Sequence, residues 1–262
     1  MKFPDFLSLQ TNNWCNARCT ICPWKDTHGK EKYQEMPMEL IEKILTDITT
    51  AYAGWVSLCF HQEPLTDHRI GDIIGLARKK CPMARVLVLS NGSLLTEEKR
   101  KILKENPPDR FGISVAGGTK ETYEKIMVPL KWEDTIQKIK DFLADTNVKE
   151  FYINYVKVFD NADEWEELQK IFPNVYINHR NWATNRAGVV EVATPQSINA
   201  RPCVYLAMFD NIPILYDGDI LLCCNLWLRE VVLGNAWNDN VLEVFNYSPL
   251  RHMNHEVCKR CR

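Results

Sequence analysis

The chain has 262 residues, 45% apolar and 25% charged, which is enough for one large globular domain with a small appendage and excludes a disordered or fibrous protein. Its net charge of −2 and pI near 6.3 supply no basic field, so nucleic acid is disfavoured as a partner and a small molecule or peptide fits better. No apolar run approaches the roughly 20 residues of a membrane span, and Met1-Lys2-Phe3-Pro4-Asp5 lacks the apolar region of a secretion signal, so the chain reads as cytoplasmic, without a membrane partner.

Strand-like apolar runs near residues 6–11, 54–60, 84–90, 110–115, 149–158 and 174–179 alternate with helical ones. Between Pro37 and Thr50, for example, Leu40, Ile41, Ile44, Leu45 and Ile48 repeat at helical spacing behind a proline. Such alternation predicts an α/β fold with a parallel sheet, here a partial (βα)6 TIM-like barrel. Ligand sites in these architectures gather at the carboxyl ends of the strands, so the residues following each run carry the functional reading.

Ten cysteines in a cytoplasmic chain point to metal rather than disulfides. After the first run comes Cys15-Asn-Ala-Arg-Cys19-Thr-Ile-Cys22, whose three thiolates suit three corners of an iron-sulfur cubane and leave the fourth iron open to a small molecule. Zinc, or three unrelated buried thiols, is the alternative reading of the spacing. Cys59 reads as a small buried hydrophobe on the second strand, and Cys81 as a helix-end residue with no evident partner. Later in the chain stand Cys203, the hairpin-like Tyr216-Asp217-Gly218-Asp219-Ile220-Leu221-Leu222-Cys223, and Cys258-Lys259-Arg260-Cys261. Four thiolates on such spacings suit one cluster or a zinc ribbon.

The CxxxCxxC run and the following Pro23 resemble the radical S-adenosylmethionine (SAM) superfamily. That resemblance implies a SAM-binding [4Fe-4S] cluster on Cys15, Cys19 and Cys22, reductive cleavage of SAM to a 5′-deoxyadenosyl radical, and hydrogen-atom abstraction from a substrate. Phe60-His61-Gln62-Glu63-Pro64-Leu65 looks like the family's GGEP-type segment, which makes Glu63, beside Pro64, the acceptor of the SAM ammonium, although His61 and Gln62 stand where glycines are usual. Ser90-Asn91-Gly92-Ser93-Leu94-Leu95-Thr96 resembles the stretch beside the adenosine, and Ile113-Ser114-Val115-Ala116-Gly117 resembles a pattern that places Ser114 on SAM. Ala116 replaces an expected acid, and Met127 an arginine common near the SAM carboxylate.

The later cysteines resemble the SPASM/twitch appendage, a β-hairpin plus helix that implies a second, auxiliary [4Fe-4S] cluster on Cys203, Cys223, Cys258 and Cys261. Four cysteines match the shorter twitch form, and the expected division is a barrel over 1–185 and the appendage over 186–262. Adjacent strand residues point to opposite faces, so Cys224 is expected to face away from the cluster holding Cys223, as a packed thiol or a hydrogen donor to substrate. Arg180, Arg186, Tyr155 and Lys157 are further candidates for substrate contact. A radical SAM oxidoreductase acting on a small molecule or peptide, fed by an external donor such as flavodoxin or ferredoxin, is the leading expectation. A redox-neutral epimerase using Cys224 and a non-enzymatic zinc or iron-sulfur module are the alternatives. No cobalamin domain is expected in the remaining length and no leader-binding domain ahead of the cysteine motif at residue 15, which tilts the expectation toward a small molecule or an unassisted peptide.

Overall fold

The computed structural model describes residues 1–180, 182–191, 210–249 and 255–260. Six parallel strands run along one sheet in sequence order: β1 (Phe6–Leu9), β2 (Trp55–Ser57), β3 (Arg85–Ser90), β4 (Arg110–Val115), β5 (Glu150–Tyr155) and β6 (Tyr176–Asn178). Helices α1 (Met38–Ile48), α2 (Ile70–Lys80), α3 (Glu97–Glu105), α4 (Lys120–Ile126), α5 (Trp132–Asp145) and α6 (Trp165–Ile171) make the crossovers. This is the expected unclosed barrel.

Each crossover follows from local chemistry. In α1, Leu40, Ile41, Ile44, Leu45 and Ile48 are all fully buried, one apolar stripe against the sheet. α3 and α4 begin at Thr96 and Thr119, whose side chains accept from the amides of Lys99 and Thr122, satisfying donors that a helix start leaves orphaned. β2 is buried on both faces, as a strand covered by helices must be.

On the other side of β1 the sheet continues. β7 (Asn211–Ile214) pairs parallel with β1 over Phe6–Leu9, and β8 (Asp219–Leu221) and β9 (Val232–Asn235) add antiparallel. Gly218, at φ +94°, makes the tight turn between β7 and β8 that Asp217-Gly218 predicts, a left-handed position only glycine takes without strain. Helices α7 (Val241–Tyr247) and α8 (Glu256–Arg260) follow. α7 packs on α1 and β9, with Val241, Leu242 and Phe245 buried. The hairpin-plus-helix appendage is thus an extension of the same sheet.

Two cysteine expectations need correction or completion. Cys59 lies beyond β2 rather than within it, half-buried, with its sulfur 3.3 Å from the Ser57 hydroxyl. Cys81 ends α2 as predicted, fully buried, and donates to the Leu45 carbonyl at 3.4 Å.

Candidate functional site

The loops after β1, β2 and β3 meet at the carboxyl edge of the sheet. Cys15, Cys19 and Cys22 are each half-buried free thiols on the first of these loops. The loop is held from several sides. The Thr20 amide donates to Ile126 at 2.9 Å, the Cys22 amide to Cys19 at 3.1 Å, and the Arg18 guanidinium to the Cys15 and Ala17 carbonyls at 2.8 Å each. That guanidinium also lies 4.0 Å from the Trp24 ring centre.

Burial pushes all three thiols up, Cys19 to about 12, and for Cys15 the Glu63 charge adds to the effect. A buried thiol gives up its proton only to something that stabilises the thiolate, which a metal does. Among the described residues, the one trio of possible ligand atoms lying within 4.8 Å of one another is Glu35, Asp67 and His68. Its carboxylates are already matched by Arg69, at 2.8 Å from Asp67 and 3.5 Å from Glu35. At least one pair of the three sulfurs is therefore set wider than 4.8 Å, beyond the about 3.8 Å that one tetrahedral zinc imposes. They are still near enough that Cys19 and Cys22 raise the Cys15 thiol and Cys22 raises that of Cys19, which suits a cluster whose thiolates bind separate irons.

Glu63 follows β2 and is buried. Its Oε1 accepts from the Leu65 amide at 3.0 Å and the Ser90 hydroxyl at 2.7 Å, and its Oε2 from the Asn91 amide at 2.7 Å. A carboxylate offers about four acceptor positions. The three protein donors leave room on Oε2, and among the described residues no cationic side chain pairs with it. Burial raises its pKa while those three donors oppose the rise. The arrangement is a buried carboxyl group, beside three thiols, with acceptor capacity left for a cationic donor.

Sequence reading missed one residue of this frame. Asn16 donates to the Ser93 hydroxyl at 2.8 Å and accepts from the Asn91 side chain at 2.8 Å, tying the cysteine loop to the loop after β3. Gly92, at φ +78°, turns the chain so that Asn91 can do this. Pro64 opens a single helical turn, and Ser114 lies half-buried on β4 opposite Asn154. Met127 is buried, and its sulfur accepts from the Ala116 amide at 3.3 Å, so the two departures from the family pattern pack against each other.

On the C-terminal side, Cys223 and Cys224 stand past the end of β8. The strand-alternation expectation fails for that reason: in the turn the two side chains hydrogen-bond each other, and this contact, ahead of burial, raises the Cys223 thiol. Cys258 is exposed on α8, whereas Cys203 and Cys261 lie outside the described residues. Arg186 donates to Asn225 at 3.1 Å, and its Nε is buried without a partner. Its φ of +49° is costly for a non-glycine residue. Although other effects leave both thiols raised, its charge lowers Cys22 and Cys223 alike, so the guanidinium lies near both cysteine groups.

The remaining substrate candidates separate. Tyr155 is core, fully buried with its hydroxyl bonded to the Asn161 carbonyl at 2.7 Å, which corrects the expectation of substrate contact. Lys157 lies 5.9 Å from the Trp182 ring centre and Arg180 is exposed.

An open parallel barrel with a thiol trio after its first strand and a buried acid after its second defines an iron-sulfur half-barrel enzyme. The chain belongs to the radical SAM superfamily, whose model matches residues 9–171, and an iron-sulfur cluster-binding domain of the SPASM type matches residues 203–262. Membership brings SAM and [4Fe-4S] clusters as cofactors and makes the chain an oxidoreductase-type enzyme. It is 22% identical over 272 residues to the S-adenosyl-L-methionine-dependent 2-deoxy-scyllo-inosamine dehydrogenase of Niallia circulans, across 99% of this chain and 93% of that protein. Its fold is similar to the crystal structure of BtrN in complex with AdoMet and 2-DOIA, with TM-score 0.68 and 19% identity over 100% and 94% of the two chains. It is also similar to Streptococcus suis SuiB bound to S-adenosylmethionine, with TM-score 0.73 and 16% identity over 98% and 72%. Among the described residues no helix is long and apolar enough to cross a membrane.

Proposed function

We propose that this enzyme dehydrogenates a hydroxylated small molecule. Support comes from the likeness to a SAM-dependent dehydrogenase along almost the whole of both chains, which is the observation that carries the reading, while Glu63 offers the acceptor that SAM binding needs. When bound, the cofactors would supply a 5′-deoxyadenosyl radical for hydrogen-atom abstraction at a substrate carbon and a second cluster to take up the remaining electron. Loss of the hydroxyl proton to solvent then completes a carbonyl, with two hydrogens removed in total.

The residues divide this work. Cys15, Cys19 and Cys22 hold the SAM-binding cluster, and Glu63 accepts the SAM ammonium on the free side of Oε2. Ser90, Asn91 and Pro64 fix that carboxylate, and Ser114 lines the same edge. Cys203, Cys223, Cys258 and Cys261 hold the auxiliary cluster, and the appendage is taken to begin near residue 186. Arg186, whose charge reaches both groups of cysteines, is the candidate to contact a substrate oxygen through its guanidinium. A low-potential protein such as flavodoxin or ferredoxin feeds the first cluster.

The test is anaerobic reconstitution of the wild type and a Cys15/Cys19/Cys22→Ala variant. About eight irons in the wild type and about four in the variant are expected, with 5′-deoxyadenosine formed only by the wild type. With a hydroxylated cyclitol as probe, the product should be lighter by two hydrogens. An unchanged mass with inverted configuration would establish the redox-neutral reaction instead, and bound zinc in the variant would remove the electron acceptor.

A further inference from the structure

The sequence departs from the GGEP-type pattern at His61, and the structure gives that imidazole a specific task. Its ring is buried, packed between Phe60, with centroids 3.9 Å apart, and Trp227, at 3.6 Å and 17° from parallel. His61 Nε2 lies 2.8 Å from the Cys224 carbonyl. A carbonyl can only accept, so the proton is on Nε2. Nδ1 of the neutral ring is then an acceptor, and it lies 3.2 Å from His28 Nε2, which must donate.

From His28 the chain of contacts continues outward. His28 Nδ1 is 3.2 Å from Glu31 Oε2, the same oxygen that accepts from the Tyr216 hydroxyl at 3.1 Å and the Asn13 side chain at 3.2 Å. Gln10 supports the backbone of both ends, donating to the His61 carbonyl at 3.2 Å and accepting from the Tyr216 amide at 3.4 Å. One imidazole thus joins three segments distant in sequence: the loop two residues before Glu63, the segment following the cysteine loop, and the turn directly after Cys223. A glycine at position 61 makes none of these side-chain contacts.

We propose that His61 is a positioning residue for the auxiliary site, an imidazole in place of a glycine that fixes the Cys223–Cys224 turn to the loop carrying Glu63. The inference rests on the reading of Cys223 as an auxiliary-cluster ligand. Orientation of the Cys224 peptide next to a ligating thiolate is one of the levers by which a protein sets the properties of a cluster.

The experiment uses the Cys15/Cys19/Cys22→Ala chain, in which the auxiliary cluster is observed alone. After reconstitution, the parent is compared with added His61→Phe, which keeps a stacked ring without the hydrogen bond, and His61→Gln, whose amide can donate to the carbonyl. All three should hold about four irons. The phenylalanine variant should show altered EPR g values and a displaced midpoint potential, and the glutamine variant should return toward the parent. In the otherwise wild-type chain, His61→Phe should weaken SAM binding about fivefold, the equivalent of one net hydrogen bond. Identical spectra, potentials and SAM affinity in parent and phenylalanine variant would overturn the proposal. Zinc or no metal in the parent would instead remove the Cys223 reading, before any change at His61, and the proposal with it. If the phenylalanine chain does not fold, nitrogen-15 spectra of the wild-type histidines decide: a His61 protonated at Nε2 supports the contact, and one bare at Nε2 overturns it.

Discussion

Glu63 shows how much one residue can carry when its partners are fixed. Three neutral donors hold the carboxylate and keep it an acceptor in a buried place, while its charge is left for a ligand. Glu63→Gln preserves the shape but loses the charge and turns one oxygen into a donor facing amides and a hydroxyl. SAM affinity should fall by about ten- to a hundredfold, the range for a lost charge-assisted hydrogen bond, with iron content unchanged; equilibrium dialysis of the reconstituted protein checks both. Glu63, Ser90 and Asn91 could be picked out in the sequence because each closely follows a strand in a patterned segment. Asn16 could not, since its partners Asn91 and Ser93 are 75 and 77 residues away and a lone loop Asn has no periodicity to mark it. Tyr155 was misread for the opposite reason: a tyrosine at a strand end looks available until its hydroxyl is seen bonded inside the core.

At the level of elements, the six parallel strands and α1 were legible because apolar period and burial coincide. β2 and β1 are shorter than their apolar runs, since the residues beyond Ser57 and Leu9 leave the ladder to form site loops. The hairpin β7–β8 was readable from Asp217-Gly218, but the position of Cys223 outside β8 was not, because periodicity does not mark where a strand stops pairing. Gly218 gives this element its test. A Cβ there would lie 2.9 Å from the Asn235 side-chain oxygen and 3.2 Å from Trp237, on a backbone already at φ +94°. Gly218→Ala should therefore destabilise the protein by about 1–3 kcal/mol, read as a lowered denaturant midpoint. Because the hairpin leads into the Cys223 turn, the loosened variant should also lose auxiliary iron faster to a chelator than the SAM-site iron.

Over the whole molecule, one sheet carries both cysteine regions, and the joint between them is closed by a buried neutral imidazole. Burial pushes the pKa of His61 well below the usual histidine value, and the His28, Arg186 and Arg229 charges push the same way against the Cys224 carbonyl. Facing it also are the uncharged rings of Phe60 and Trp227. Because the folded-state value is the lower one, the unfolded chain binds the proton first as pH falls. Stability from this residue is thus fully present above about pH 6.5 and is lost as pH drops from there toward the folded-state value. Glu31, whose pKa is lowered despite the opposing effect of burial by its bonds to His28, Asn13 and Tyr216, gives stability that is fully present above about pH 4.5 and lost only below it, so it does not confuse the window. Urea unfolding of the metal-free chain at pH 7.5, 6.5 and 5.5 should show a loss of up to about 1.4 kcal/mol per pH unit in the lower interval from His61. His61→Gln, which keeps a donor for the carbonyl but cannot titrate, should reduce that slope to the share of His28, whose pKa burial also lowers, while leaving the value at pH 7.5 nearly unchanged. An equally steep slope in the glutamine chain would assign the acid sensitivity to another histidine and leave the closed joint without a pH signature.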